Sequence, residues 1–353
     1  MTSQVLERHP TGSGGPATSG AGRQVWADVA KGVCILLVVL HHLVHKQLHL
    51  VVPPGHEHWQ AAWAEVTWAL KPIRMPLFFL ISGMFAAGAV HRPWPRVRKR
   101  VLSPAWLYVV WLLLLSAFYL VETRTPANRV HSPGELATEL LLPSTSLWFL
   151  YAMTAYLLLA RALRGLPPAL VVAAAFAISA SVSWWGIDAN NRVAVLSHFV
   201  YFAAGAHYPH LVRRVADARI PLLPLAATFA LAAFAVSALE VPLSVSVTGL
   251  SLLGLPLGLV ASRRLSQTAA ARPLAWLGSR TLPVYVLHLV VIGALASLPL
   301  RMAADPGPLD GVVVAAYPIV GALAVTAICL VLHRALGAAR LGALFRAPRW
   351  VTG

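Results

Sequence analysis

From residue 26 onward the chain alternates long apolar runs with short polar punctuation. A membrane-spanning helix needs about 20 mostly apolar residues. Ten stretches qualify: 26–45, 63–90, 101–121, 147–164, 167–185, 193–210, 219–238, 241–261, 280–300 and 311–334. Pro167, Pro168 and Pro242 punctuate the close pairs as helix starts, where proline's preset φ and missing N–H do no harm. The pattern predicts an all-α polytopic membrane protein with about ten transmembrane helices. The longest connection, 122–146, is too short for a folded domain but long enough to cover a site. No internal repeat suggests a transporter built from two similar halves.

Composition strengthens this reading. Hydrophobic residues make up 58% of the 353 and charged residues only 11%, against about 25% charged in a soluble domain. A chain this apolar cannot hide its hydrophobic surface inside one water-facing globule. The net charge of +16 comes from 28 Lys+Arg against 12 Asp+Glu. These basic residues sit in short clusters between apolar runs, as in cytoplasmic membrane loops, rather than in one patch for nucleic acid. No nucleic-acid partner is expected. With the amino terminus inside, alternation puts 21 of the 28 basic residues on the cytoplasmic side and 7 outside, which supports the count and the orientation together. Both termini are then cytoplasmic, in a multi-pass protein of the cell membrane. Residues 1–22, rich in Gly, Ser, Thr and Pro, read as a disordered tail, 23–336 as the transmembrane domain, and 337–353 as a basic tail. Cys34 and Cys329 lie in apolar runs and behave as small hydrophobes.

Ionisable groups inside spans are costly and usually face the bundle interior or a watery cavity, so they define the search for chemistry. The first span carries Asp28, Lys31, His41, His42 and His45. Lys31 and His42 are eleven residues apart, about three helical turns, so both point to one side roughly 16 Å apart along the axis. Asp28 lies one turn before Lys31 and can pair with it. Two readings stand for each: Lys31 marks the membrane edge or binds, and His42 bonds within the bundle or reacts. The second span holds Arg74, which either snorkels outward with Lys71 or orients an anionic or carbonyl group. Pro76 and Ser82-Gly83 are expected to break that helix. The cluster Arg92, Arg96, Arg98, Lys99 and Arg100 suits phosphates of a soluble ligand and equally suits anionic lipid headgroups. Trp148 and Tyr151 open the fourth span, His198 comes early in the sixth, and Tyr285 and His288 share the ninth. His45, His49, His56 and His58 match no standard ligand spacing, so no metal is expected.

These segments resemble the acyltransferase-3 family of membrane acyltransferases. The resemblance rests on Lys31, ten intervening residues and His42; on PLFFLISG at 76–83; on RVRKRVLSP; and on LWFLYA and LPVYVLH. It covers residue 24 to about 335. The form DVAKGVCILLVVLHH with MPLFFLISG is closest to the branch of fucose 4-O-acetylase-like proteins. This chain departs from the branch at Arg74, where many members have His, at His41, and in the loose basic pattern from Arg96 to Lys99.

The resemblance implies transfer of an acyl group, commonly acetyl, from acyl-CoA to a hydroxyl. The acceptor would be a glycan, lipid-linked sugar or secreted metabolite on the far side of the membrane. His42 would be catalytic, as general base or as carrier of the acyl group. Lys31, Arg96, Arg98, Lys99 and Arg100 would hold the donor's phosphates, with Tyr285 and His288 lining the donor channel. Arg74, Trp148, Tyr151 and His198 would bind the acceptor or polarise the carbonyl, and Asp28, Ser82 and Gly83 would support the site. Acyl-CoA is then a co-substrate, with no bound cofactor and membrane lipids as surroundings. The alternative is a non-enzymatic transporter of a small solute or lipid-linked sugar, for which paired intramembrane carboxylates would be the sign; only Asp28 and Glu65 come near a span.

Overall fold

A computed structural model of the chain describes residues 24–52, 55–187, 191–298 and 310–352. The expected tail 1–22 lies outside the described residues, as do Asp188, Arg301 and Asp305 of the charge count. Sixteen α-helices and no strand occur among the described residues. They are α1 (Val25–Lys46), α2 (Leu48–Val51), α3 (Glu57–Ala69), α4 (Lys71–His91), α5 (Trp94–Val121), α6 (Pro133–Leu141), α7 (Trp148–Ala162) and α8 (Pro168–Ser181). There follow α9 (Asn191–His207), α10 (Pro209–Ala216), α11 (Leu222–Ala238), α12 (Leu243–Leu265), α13 (Ala271–Gly278), α14 (Thr281–Ser297), α15 (Asp310–Ala338) and α16 (Arg349–Thr352).

Five helices are long and apolar enough to cross a membrane among the described residues: Val25–Lys46, Glu57–His91, Trp94–Val121, Leu243–Leu265 and Gly311–Ala338. The pair α13 and α14, bent by 81° at its break, makes a sixth if taken as one span. The apolar runs near 147–164, 167–185 and 219–238 fold as shorter helices, with 15 residues in α7, 14 in α8 and 17 in α11. Fifteen residues reach about 22 Å, short of a hydrocarbon core of about 30 Å. The runs read longer because apolar residues at the caps, such as Leu147 and Leu163, belong to turns rather than helix.

Large apolar side chains cover the outside. Leu223 is 81% exposed, Phe234 72% and Val331 64%. Such a surface has no place in water and fits lipid, so the fold is that of an all-helical multi-pass membrane protein. The interior is sealed by close helix crossings. A Cβ built on Gly83 of α4 would lie 2.0 Å from the carbonyl oxygen of Phe202 on α9, and one on Gly205 would lie 2.0 Å from that of Leu80. Only glycine lets these two backbones touch.

Pro76 and Ser82-Gly83 do not break α4, which runs uninterrupted from Lys71 to His91. The expected break is averted by a neighbour. Pro76 has no N–H for the carbonyl of Pro72 four residues back, and the Ser251 hydroxyl of α12, shared with its own Val247 carbonyl at 2.6 Å, reaches that oxygen at 3.0 Å. The 122–146 connection is ordered by two carboxylates. Glu122 accepts from the amides of Arg124 and Thr125 at 2.7 and 2.9 Å. Glu139 accepts from those of Ser144 and Thr145 at 2.7 and 3.0 Å. Beyond α15 the chain folds back along α5, where the indoles of Trp106 and Trp111 donate to the carbonyls of Ala343 and Leu344 at 3.4 and 2.6 Å.

Candidate active site

Two cavities lie along α1 and share a wall. The first, about 420 Å³, is lined by Lys31 and Ile35 of α1, Ser82 and Phe85 of α4, Arg100 and Pro104 of α5, and Met153 of α7. The second, about 340 Å³, lies toward the other end of α1, between His41, His42, Lys71, Arg74, Trp148 and His198. Val38, Met75 and Tyr285 line both. Val38 is one helical turn before His42, so the two share a face of α1. The separation of Lys31 and His42 read from helical spacing becomes concrete: one residue sits in each chamber.

At the Lys31 end, the ammonium pairs with Asp28 at 2.8 Å and lies 5.5 Å from the Phe85 ring centre. Arg100 donates to the Phe85 carbonyl at 3.0 Å and lines the same cavity. Arg96, Arg98 and Lys99 are not among its lining residues; Arg96 and Lys99 are exposed on α5 and Arg98 is half-buried. Arg161, in the last turn of α7, knits this end. It donates to the carbonyls of Ala89 and Arg92 at 2.6 and 2.8 Å, fixing the turn between α4 and α5.

At the His42 end the rings form a chain. His41 and His42 are 5.2 Å apart centre to centre, and His42 and His288 are 5.0 Å apart. His288 is fully buried. Its Nδ1 faces the Tyr285 carbonyl at 2.6 Å. A carbonyl can only accept, so Nδ1 carries the proton and Nε2, which has no partner, keeps a lone pair. His198 has the same arrangement, with Nδ1 at 2.7 Å from the Ala194 carbonyl and Nε2 unpartnered. His288 differs from its expected place, since it does not line the Lys31 cavity but stands behind His42. The (i, i+3) turn that puts Tyr285 on the wall turns His288 toward α1.

Tyr285 holds that wall. Its hydroxyl donates to the Ser146 carbonyl at 2.7 Å and accepts from the Phe149 amide at 3.3 Å, clamping α14 to the start of α7. Trp148 lines the His42 cavity and lies 5.2 Å from His198. Tyr151 lines neither cavity; its hydroxyl donates to the Leu141 carbonyl at 2.8 Å, so it braces α6. Arg74 is 5% exposed and donates to the Thr67 carbonyl at 3.0 Å. Ser82 lines the Lys31 cavity, while Gly83 serves the α4–α9 crossing.

Several lining residues escaped the sequence reading. Ser183, Asn191, Ser197 and Ser244 give the His42 cavity polar walls. Ser183 and Ser244 are cross-linked, each hydroxyl accepting from the other's amide at 3.0 and 3.4 Å. The row of hydroxyls in LSVSVTGLS at the start of α12 was the available signal, since short polar side chains in a span serve interhelical bonds.

The acyltransferase domain of the acyltransferase-3 family matches residues 24–334. The chain is 27% identical to the inner membrane protein YcfT of Escherichia coli (strain K12) over 208 residues, 53% of this chain and 56% of that protein. It is 33% identical to the nodulation protein NolL of Sinorhizobium fredii (strain NBRC 101917 / NGR234) over 155 residues, 42% of this chain and 38% of that protein. The matched segments thus span about half of one curated relative and less of the other. No solved structure matches.

Proposed function

The chain belongs to the acyltransferase-3 family, and from that premise we propose that it is an O-acyltransferase of the cell membrane, moving an acyl group, commonly acetyl, from acyl-CoA to a hydroxyl of a carbohydrate or metabolite. The observation that carries this reading is the pair of chambers meeting at Val38, Met75 and Tyr285, one turn of helix from His42. One chamber has cations at its end and mostly apolar walls, which suits an anionic headgroup followed by a thin arm. The other has hydroxyls, an amide and an indole face, which suits a polyhydroxylated ligand.

On this reading the CoA phosphates sit at Lys31 and Arg100, with Arg96, Arg98 and Lys99 adding to the local positive potential. The pantetheine arm passes Ser82 and Phe85, and the thioester reaches the shared wall. The acceptor lies against Trp148 and His198. His42 has no hydrogen-bond partner among the described residues and lines the acceptor cavity. It takes the hydroxyl proton as the oxygen attacks the thioester carbonyl, and the CoA thiol leaves with the balancing proton. The His288 ring lies 5.0 Å from that of His42 with its Nε2 unpartnered; were the His42 ring to turn to it during the reaction, Nε2 would accept the His42 N–H and set which nitrogen takes the proton. Arg74 stabilises negative charge on the carbonyl oxygen or holds the acceptor. In the cell, about ten membrane passes with both termini cytoplasmic would bring the donor from inside and the acceptor from outside.

The test is transfer of labelled acetyl from acetyl-CoA by purified protein in lipid nanodiscs. His42→Ala should lower turnover by about 10²–10⁴-fold while leaving the yield and elution of the protein unchanged. Turnover near that of the wild type in this variant would remove His42 from the mechanism.

A further inference from the structure

The His42 cavity is charged in one sense only. Lys71 and Arg74 line it, and no carboxylate does among its described lining residues. Neither cation has an ion-pair partner among the described residues. Arg74, 5% exposed, gives one nitrogen to the Thr67 carbonyl, which leaves most of its five donors unused. Lys71 stands one turn before it on α4, so the two cations are neighbours on one helix face. Like charges so placed repel, and burying them without a counter-charge is costly. The nearest histidines do not offset this, because imidazole supplies no negative charge. Two adjacent cations in a walled cavity with spare donors are a receptor for an oxyanion.

We propose that the acceptor is acidic: its carboxylate or phosphate binds between Lys71 and Arg74, and this anchors the neighbouring hydroxyl at His42. The inference rests on the acyltransferase reading for the word acceptor, but the anion site itself stands on the cavity alone. It assigns Lys71, which neither composition nor motif singled out for binding, a part in choosing the substrate.

The experiment compares probes that differ only in charge. Binding of methyl glucuronoside, glucose 1-phosphate and neutral methyl glucoside to the purified protein is measured by calorimetry in nanodiscs, without acyl-CoA. At least one anionic probe should bind about tenfold or more tightly than the glucoside, the scale of a charge-assisted contact, and the preference should weaken as salt is raised. The two anionic arms tell a carboxylate site from a phosphate site. Lys71→Gln should bring the preference toward unity and Lys71→Arg should restore it. Equal binding of charged and neutral probes, no binding of either anion, or a preference untouched in a folded Lys71→Gln protein overturns the proposal. If Lys71→Gln does not fold, the charged-against-neutral comparison in the wild type decides alone. Failure of the acyltransferase reading looks different: acetyl-CoA is not consumed, while anion binding persists.

Discussion

At the scale of single residues, Lys31 and His42 each line one of the two cavities along α1. Lys31 and His42 were legible because helical geometry alone fixes their relation. His288 was found as a polar residue in a span, yet its place behind His42 depends on how α14 leans on α1, and no local pattern encodes that. Tyr151 and Trp148, three residues apart, looked equivalent; the path of the 122–146 connection separates them, giving Tyr151 the Leu141 carbonyl and Trp148 the cavity. The bare Nε2 of His288 and its ring 5.0 Å from that of His42 are the grounds for proposing it as a positioning residue for His42. His288→Phe keeps ring and bulk but removes the lone pair. Its kcat should fall about tenfold or more, with KM for acetyl-CoA little changed, and the pH profile of kcat should move as His42 loses its tautomer partner. A merely packing role would leave that profile in place.

At the scale of elements, each of the ten apolar runs coincides with a helix, and five of the helices are long and apolar enough to cross a membrane among the described residues. α1, α4, α5, α12 and α15 were visible because their apolar runs exceed any cap contribution. The runs at α7, α8 and α11 folded into shorter helices because cap and turn residues were also apolar, and hydropathy averages cannot tell a turn leucine from a helical one. The carbonyl that Pro76 leaves free is met from a neighbouring helix, by the Ser251 hydroxyl of α12. The crossing of α4 and α9 is a sharper constraint than either helix alone. Gly83→Ala would press a methyl against the Phe202 carbonyl, a backbone atom that cannot swing aside. It should lower stability by about 1–3 kcal/mol, read as a reduced melting temperature in detergent. Gly165→Ala, with nothing within 4 Å, should not.

At the scale of the whole molecule, the two chambers lie toward opposite ends of α1, and on the proposed function those ends face opposite compartments. The basic count from sequence predicts the Lys31 end to be cytoplasmic. Both native cysteines are buried, so introduced thiols report cleanly. Lys99→Cys should react with an impermeant maleimide only after the membrane is opened, and Ala137→Cys on α6 should react in intact cells. The reverse pattern would invert the assignment of donor and acceptor sides.

The wall of Val38, Met75 and Tyr285 has a second consequence, electrical rather than chemical. Where two chambers reach in from opposite ends, the low-dielectric layer between them is thin, and the membrane potential falls mainly across that layer instead of across the full bilayer. A charge shifted through it exchanges roughly 2.3 kcal/mol per 100 mV with the field. An acyl group carries no net charge and crosses without that exchange, whereas a proton does not. On the proposed function, the Tyr285 clamp on Ser146 and Phe149 would also serve as insulation, keeping the passage of a neutral group from becoming a leak for ions.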